Sequence, residues 1–290
     1  PDLLRAINVT KIFTSSRFPF KRQQVVIAVE NFNFSISEEK PEIVSLVGES
    51  GSGKTTAAKL LLGLLKPTYG VIYFRGKDIW KLERDEYKEY RRCIQAIFQD
   101  PYASFNPVYP VEHSLKVTIR KFGLAKDEDE VDSLIEKSLQ EVGLRYDEIR
   151  GKYPHQLSGG ERQRIMIARA FILKPRLIIA DEPVSMLDAS IRANVLNIMK
   201  ELKERWNISF LYITHDLATA GYVTDRLAIM YLGKIVEMGA TDKILTEPMH
   251  PYTQALISAV PEPDPERKIA AIIKGEIPSP INIPKGCRFK

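Results

Sequence analysis

The feature that most constrains this chain is residues 48–55, which fit the pattern G-x-x-x-x-G-K-[ST]. Residues 42–47 before it, which are mostly apolar, predict a buried strand, and residues 55–62 after it predict a helix. In that setting, glycines let backbone N–H groups turn inward around phosphate oxygens, and the helix N-terminus adds partial positive charge. The segment is therefore predicted to bind phosphate through Gly48, Glu49, Ser50, Gly51, Ser52, Gly53, Lys54, Thr55 and Thr56.

Two side chains of this loop have specific predicted roles. Lys54 is expected to reach the β- and γ-phosphates of a nucleotide, and the Thr55 hydroxyl is expected to hold Mg²⁺. A glycine-rich turn with a chance lysine is the alternative, but the strand and helix on either side disfavour it.

The composition fits a soluble globular protein, with 44% hydrophobic and 27% charged residues among 290. No apolar run approaches the roughly 18 residues of a membrane span, and no signal peptide is recognisable at the start. The sequence begins at Pro1, so a few leading residues, including the initiator Met, are expected to precede it. Cys93 and Cys287 are the only cysteines, so a disulfide framework is excluded and a reducing compartment is expected. The net charge of +5 is small and scattered, which favours an ordinary solvated surface over nucleic-acid binding.

Before the phosphate-binding loop, short alternating stretches predict antiparallel strands. These stretches are residues 4–9, 25–29 and 32–36, with a basic, aromatic loop at 17–22. After the loop, residues 70–78 read as a hairpin and residues 94–99 as a strand that ends on Gln99.

The second half of the chain alternates helical periods with short buried strands. Helices are predicted within 111–143 and over 157–173 and 191–206, buried strands at 177–180 and 208–213, and a closing hairpin over 227–238. Beyond Ala240 the chain becomes rich in proline and is predicted to form a partly extended appendage.

Two carboxylates follow the apolar strand at 177–180. Asp181 suits an acid that orients Mg²⁺ through its water shell, and Glu182 would then polarise an attacking water. Taken alone this pattern is weak, because turn chemistry also places acids at strand ends.

Ser158, Gly159, Gly160 and Glu161 stand at a predicted helix start and form a second candidate anion-binding surface. One nucleotide does not need two such surfaces from one chain. Two nucleotides sandwiched between two chains do.

The order of these motifs, with Leu157 to Glu161 as a signature, resembles the nucleotide-binding subunits of ATP-binding cassette (ABC) transporters over nearly the whole chain. The resemblance implies further roles. Phe13 matches the aromatic that stacks on adenine, and Gln99 matches the glutamine that touches Mg²⁺ and senses the γ-phosphate. Asp188 matches the loop that crosses the dimer interface, and His215 matches the histidine that contacts the γ-phosphate.

The resemblance also implies an α/β fold. We expect a P-loop NTPase (RecA-like) core with an antiparallel β subdomain and an inserted α-helical subdomain at about residues 102–175. The ABC ATPase domain is expected over 1–240 and a C-terminal extension over 241–290. Met186 stands where the family commonly has a small residue, which affects only interface packing.

Residues 99–107 and the tail segments 250–256, 277–280 and 286–289 are similar to the ATPases of oligopeptide and dipeptide importers. Some members of that group bind an iron–sulfur cluster through several tail cysteines. Here the tail holds only Cys287, and one thiolate cannot hold a four-ligand cluster. Either the protein has no cluster or its natural C-terminus has been removed.

The resemblance implies ATP and Mg²⁺ as ligands and a peripheral location on the cytoplasmic face of the membrane. The implied partners are a second, paralogous ATPase subunit, two transmembrane permease subunits and an extracytoplasmic substrate-binding protein. Importers of oligosaccharides or metal chelates are the alternative, since related ATPases serve them. A soluble ABC ATPase acting on nucleic acid is less favoured, because the chain has one cassette and no sustained heptads.

Overall fold

The computed structural model describes residues 1–15, 24–100, 104–260 and 286–289. The basic, aromatic loop predicted at 17–22 and the tail segment at 277–280 lie outside these residues. The chain divides into two compact units. The first contains Pro1–Glu38, Val44–Lys81 and Ile213–Lys290, and the second contains Glu39–Ile43 and Leu82–Tyr212.

The first unit contains the predicted antiparallel sheet. Its strands are β1 (Asp2–Ser15), β2 (Gln24–Ser37), β4 (Tyr69–Phe74) and β5 (Lys77–Asp78), in the order β2-β1-β4-β5. The pieces predicted at 25–29 and 32–36 form one strand, β2. Asn31 lies between them with φ 50, a left-handed conformation that asparagine tolerates, so the strand continues through this irregularity.

A second group of strands in the first unit carries the phosphate-binding loop. Strand β3 (Ile43–Val47) is buried throughout and pairs in parallel with β9 (Arg226–Tyr231). Strand β9 pairs antiparallel with β10 (Lys234–Ala240), which confirms the predicted closing hairpin. Helix α1 (Lys54–Leu61) begins directly after the loop, as the sequence predicts, and α8 (Leu217–Val223) precedes β9.

The second unit holds the buried strands that carry the acidic residues. Strands β6 (Ile94–Ile97) and β7 (Leu177–Asp181) pair in parallel, and β8 (Ser209–Thr214) begins beside β7 in the strand order. Strand β6 ends at Ile97, so Gln99 lies in the following loop and not on the strand as predicted. Helix α2 (Arg84–Cys93) leads into β6, and α7 (Ala189–Trp206) follows β7.

The predicted helical region of the second unit contains α3 (Glu112–Phe122), α4 (Glu128–Gln140), α5 (Tyr146–Ile149), a 3₁₀ turn (Pro154–Gln156) and α6 (Gly159–Phe171). Helices α3, α4 and α6 pack against one another. Val131, Ile135 and Leu139 form the buried face of α4, at the helical spacing read from the sequence. The boundaries of an inserted subdomain at about 102–175 stay a prediction.

The predicted, partly extended appendage is helical over its first residues. Helices α9 (Thr241–Thr246) and α10 (Pro251–Ser258) follow β10 directly. Pro251 occupies the first turn of α10, where its missing N–H costs nothing, and His250 Nδ1 caps the helix. Among the described helices, none combines the length and apolar character needed to cross a membrane.

Candidate nucleotide-binding site

The phosphate-binding loop is shaped by two glycines that approach neighbouring backbone closely. A Cβ at Gly48 would lie 2.1 Å from the Met230 carbonyl oxygen, and one at Gly53 would lie 2.2 Å from the Ala28 carbonyl oxygen. Gly53 also has φ 103, in the left-handed region that favours glycine. The first and last glycines of the pattern are therefore required by packing as well as by turn geometry.

Lys54 is held inside this loop. Its ammonium donates to the carbonyl oxygen of Gly48 at 2.6 Å and to that of Glu49 at 2.7 Å, with the Ser52 hydroxyl at 3.4 Å. The residue is only 5% exposed. A buried ammonium among carbonyl oxygens is a cation positioned where phosphate oxygens would be stronger acceptors.

The other predicted loop residues differ in accessibility. Ser50, Gly51 and Thr55 are exposed, Thr56 is half-buried, and Ser52 is buried with its N–H donating to the Glu49 carbonyl at 3.1 Å. The loop thus presents an accessible rim above a buried lysine.

Two further predicted residues of the first unit lie at strand ends. Phe13, on β1, is 44% exposed, and the Lys11 ammonium lies 5.4 Å from its ring centroid. This ring is accessible for stacking, although its contact with adenine stays a prediction. His215 is exposed directly after β8, and the adjacent Asp216 caps α8 by accepting from Ala218 N–H at 2.9 Å.

In the second unit, the structure brings Gln99 and Glu182 together. The Gln99 amide donates to Glu182 Oε2 at 3.0 Å. Glu182 has φ 47, a left-handed conformation that costs a non-glycine residue about 1 kcal/mol and is often found at functional sites. Asp181, at the end of β7, is only 7% exposed.

The signature residues form the N-terminus of α6. Ser158 caps the helix, and its hydroxyl donates to Glu161 Oε2 at 2.7 Å while the Ser158 N–H donates to the same oxygen at 2.8 Å. These hydrogen bonds from the Ser158 backbone and hydroxyl lower the pKa of Glu161. Gly159 and Gly160 make the first turn, with Ser158 exposed at its tip.

Asp188 caps α7 in the second unit. Its carboxylate accepts from Ile191 N–H at 3.0 Å and from the Ser190 hydroxyl at 2.8 Å, and these bonds lower its pKa. Both Asp188 and Met186 are exposed on the segment between β7 and α7. That exposure is compatible with the predicted interface role, which stays a prediction.

The predicted Mg²⁺ ligands carry suitable donor atoms. Thr55 offers a hydroxyl, Gln99 an amide oxygen and Asp181 a carboxylate, and such hard oxygen ligands are the ones Mg²⁺ prefers. The donor chemistry therefore fits the ion. Within the described residues no group of three or more His, Cys, Asp or Glu could hold a metal ion.

Sequence reasoning missed a contact between the C-terminal region and the loop. Tyr252, on α10, is fully buried, and its hydroxyl accepts a hydrogen bond from the Glu49 N–H at 3.4 Å. Arg288 is buried and forms an ion pair with Glu30. The one sequence signal for this region was the His250-Pro251 pair, because proline is favoured at the first position of a helix as well as in segments that end one.

A strand, a glycine-framed loop with a buried lysine and a following helix define a phosphate-loop nucleoside triphosphatase. A family model described as ABC transporter matches residues 29–185, and one described as oligopeptide/dipeptide transporter, C-terminal region, matches residues 236–290. The chain belongs to the ABC transporter family, as an ATPase subunit.

Similar proteins and structures agree with this assignment. The chain is 43% identical over 292 residues to the oligopeptide transport ATP-binding protein AppF of Bacillus subtilis, covering 99% of this chain and 88% of that protein. It is 45% identical over 252 residues to OppF of Salmonella typhimurium, covering 86% and 75%. The dimeric, post-hydrolysis ATP-binding cassette MJ0796 bound to ADP and Pi superposes with a TM-score of 0.70 at 28% identity, covering 82% of this chain and 98% of that chain.

Proposed function

We propose that this chain is the ATP-hydrolysing subunit of an importer for oligopeptides or dipeptides, in which two ATPase subunits close head to tail around ATP. The observation that carries the proposal is the pairing of a phosphate-binding loop with a C-terminal region, residues 236–290, of the oligopeptide/dipeptide transporter type. The similarity to AppF and OppF supports the same cargo class.

Binding begins at the phosphate-binding loop. The Lys54 ammonium exchanges the carbonyl oxygens of Gly48 and Glu49 for β- and γ-phosphate oxygens, which are charged and therefore stronger acceptors. The exposed Phe13 ring offers a face for the adenine base. Thr55, Gln99 and Asp181 would hold Mg²⁺, which when bound neutralises charge on the phosphates.

Hydrolysis is assigned to Glu182. Its carboxylate positions and polarises the attacking water, and the Gln99 amide restrains that carboxylate through the 3.0 Å hydrogen bond. Lys54 and His215 stabilise the charge that develops on the transferred phosphoryl group. The left-handed backbone at Glu182 fixes where its side chain departs from the end of β7.

Closure requires a second subunit. The exposed Ser158, the half-buried Gly159 and the buried Gly160 form a helix N-terminus that caps the γ-phosphate held by the partner. ATP binds the closed pair more tightly than the open one, and this differential affinity moves the equilibrium. Loss of the γ-phosphate removes this difference in affinity, and the two subunits separate.

The proposal places the chain at the cytoplasmic face of the membrane, with a paralogous ATPase subunit, two permease subunits and an extracytoplasmic binding protein. The test is ATP turnover by the complete importer, rebuilt in proteoliposomes with this chain. Turnover should rise when the binding protein is loaded with an oligopeptide mixture, and not with oligosaccharides or iron chelates. Stimulation by either of the latter two alone would overturn the peptide assignment.

A further inference from the structure

The described end of the tail packs within the first unit through aromatic rings. The Phe289 ring centroid lies 5.6 Å from that of Tyr231 and 5.5 Å from that of Tyr252, both edge to face. Tyr231 and Tyr252 are themselves 4.4 Å apart. Such a cluster fixes α10 against the end of β9, because aromatic pairs have preferred geometries and exclude water.

This cluster reaches the phosphate-binding loop directly. Tyr231 follows Met230, whose carbonyl lies against Gly48, and the Tyr252 hydroxyl accepts from the Glu49 N–H. Burial, followed by the charge of Glu49, raises the pKa of Tyr252 well above its usual range. The phenol therefore stays neutral at physiological pH and remains an uncharged acceptor for the loop.

A second connection runs through Arg288, which is only 8% exposed. Its guanidinium pairs with the Glu30 carboxylate, which also lies 3.4 Å from the Lys234 ammonium. The Glu30 N–H donates to the Gly233 carbonyl at 2.8 Å, and the Gly233 N–H donates to the Ser52 carbonyl at 2.7 Å. The ion pair thus fixes the backbone that in turn holds the loop.

We propose that Tyr252, Arg288 and Phe289 form a C-terminal clasp that holds the phosphate-binding loop in its binding conformation, so that Tyr252 and Arg288 are positioning residues for nucleotide binding. A loop held in this way loses less conformational entropy when phosphate binds, and affinity rises accordingly. Only the link to nucleotide affinity rests on the proposed function. The effect on the loop itself does not.

The first test measures amide hydrogen exchange of the full chain without nucleotide. Tyr252→Phe keeps the ring and removes the hydroxyl, so the Glu49 amide should exchange about 2- to 10-fold faster, the range expected for one net hydrogen bond. Arg288→Gln should speed exchange of the loop amides near Ser52, and Arg288→Lys should restore part of the protection. Cys287→Ser, in the same tail segment but exposed, should change nothing.

The second test measures ATP affinity by calorimetry and steady-state turnover for the same variants. Tyr252→Phe and Arg288→Gln should raise Kd and KM for ATP by about 2- to 10-fold with little change in kcat, because the groups that contact ATP are intact. Tyr87→Phe, an exposed tyrosine on α2, serves as the matched control and should leave Kd unchanged.

The outcomes separate cleanly. Unchanged loop exchange in both Tyr252→Phe and Arg288→Gln overturns the clasp, and so does faster exchange spread uniformly over the first unit, which indicates general destabilisation. Faster amide exchange confined to the phosphate-binding loop supports the clasp. If the variants show faster exchange confined to the loop but the wild-type chain binds no ATP, the proposed function fails while the clasp stands.

Discussion

At the scale of single residues, Lys54 is the cation around which the loop is built. Lys54→Ala removes charge-assisted hydrogen bonds to phosphate that are worth about 1.5–3 kcal/mol each, so ATP affinity should fall roughly 10- to 100-fold or more. Isothermal titration with ATP measures the change. Lys59→Ala, exposed on the same helix, is the control. If Lys54→Ala binds ATP with wild-type affinity, the loop is not part of the nucleotide-binding site.

Glu182 is the residue on which the chemical step is predicted to depend. Glu182→Gln keeps an oxygen and a similar shape but loses the basic carboxylate, so kcat should fall about 100- to 10,000-fold. ATP affinity should stay close to that of the wild type, since binding groups are unchanged. Single-turnover kinetics with radiolabelled ATP separate the two quantities. Glu201→Gln on α7 is the matched control, and normal turnover by Glu182→Gln would contradict the catalytic assignment.

At the scale of elements, helix α6 depends on its charged capping box. The pKa of Glu161 is lowered in the folded state by its hydrogen bonds from Ser158, so the ionised form favours folding. Stability from this group is present above the unfolded pKa of about 4.3 and is lost as pH falls through the lower folded value.

The difference in stability between Glu161→Gln and the wild type is therefore expected to depend on pH. The variant should be less stable at pH 7, and the gap should narrow as pH falls below about 4, because protonation then neutralises the wild-type carboxyl too. Urea unfolding at a series of pH values measures the gap. Glu136→Gln, exposed on α4, should show no such trend. A stability difference that does not change with pH would contradict a capping role for the ionised Glu161 carboxylate.

Most elements follow from local patterns, and the exceptions have physical reasons. Strands β3 and β7 are buried throughout and apolar except at Ser45 and Asp181, and the loop before α1 has an unambiguous pattern. The sequence predicts two separate stretches, 25–29 and 32–36, whereas pairing with β1 carries a single strand through Glu30 and Asn31. Helix α10 was missed because proline-rich composition hides a helix that starts at Pro251.

At the scale of the whole molecule, the contacts of the C-terminal region could not be predicted. The Tyr252–Glu49 and Arg288–Glu30 pairs join residues far apart in the chain, and no local pattern encodes their meeting. The positions of Gln99 and Glu182 could be predicted only as separate motifs, while their hydrogen bond is a result of the fold. The sequence motifs thus identify the candidate site residues, but they do not predict which residues contact one another in the folded chain.

Assembly into a closed pair predicts a distinct phenotype for Ser158→Arg. The large cation should obstruct the surface that caps the partner's γ-phosphate, while ATP binding by the isolated subunit remains, because its own loop is unchanged. Calorimetry of the isolated subunit should therefore give a wild-type Kd, and size-exclusion chromatography of its mixture with the paralogous ATPase subunit should show no ATP-dependent dimer. Ser133→Arg on the exposed face of α4 is the control. ATP-dependent dimers of Ser158→Arg would place the signature outside the interface.

The most direct measurement is sedimentation velocity of the Glu182→Gln chain mixed with its paralogous ATPase subunit, with Mg-ATP and, separately, with Mg-ADP. Slow hydrolysis should trap the closed pair, so we expect a dimer with ATP and monomers with ADP. A chain that stays monomeric in this mixture while saturated with Mg-ATP would contradict a triphosphate held between two subunits.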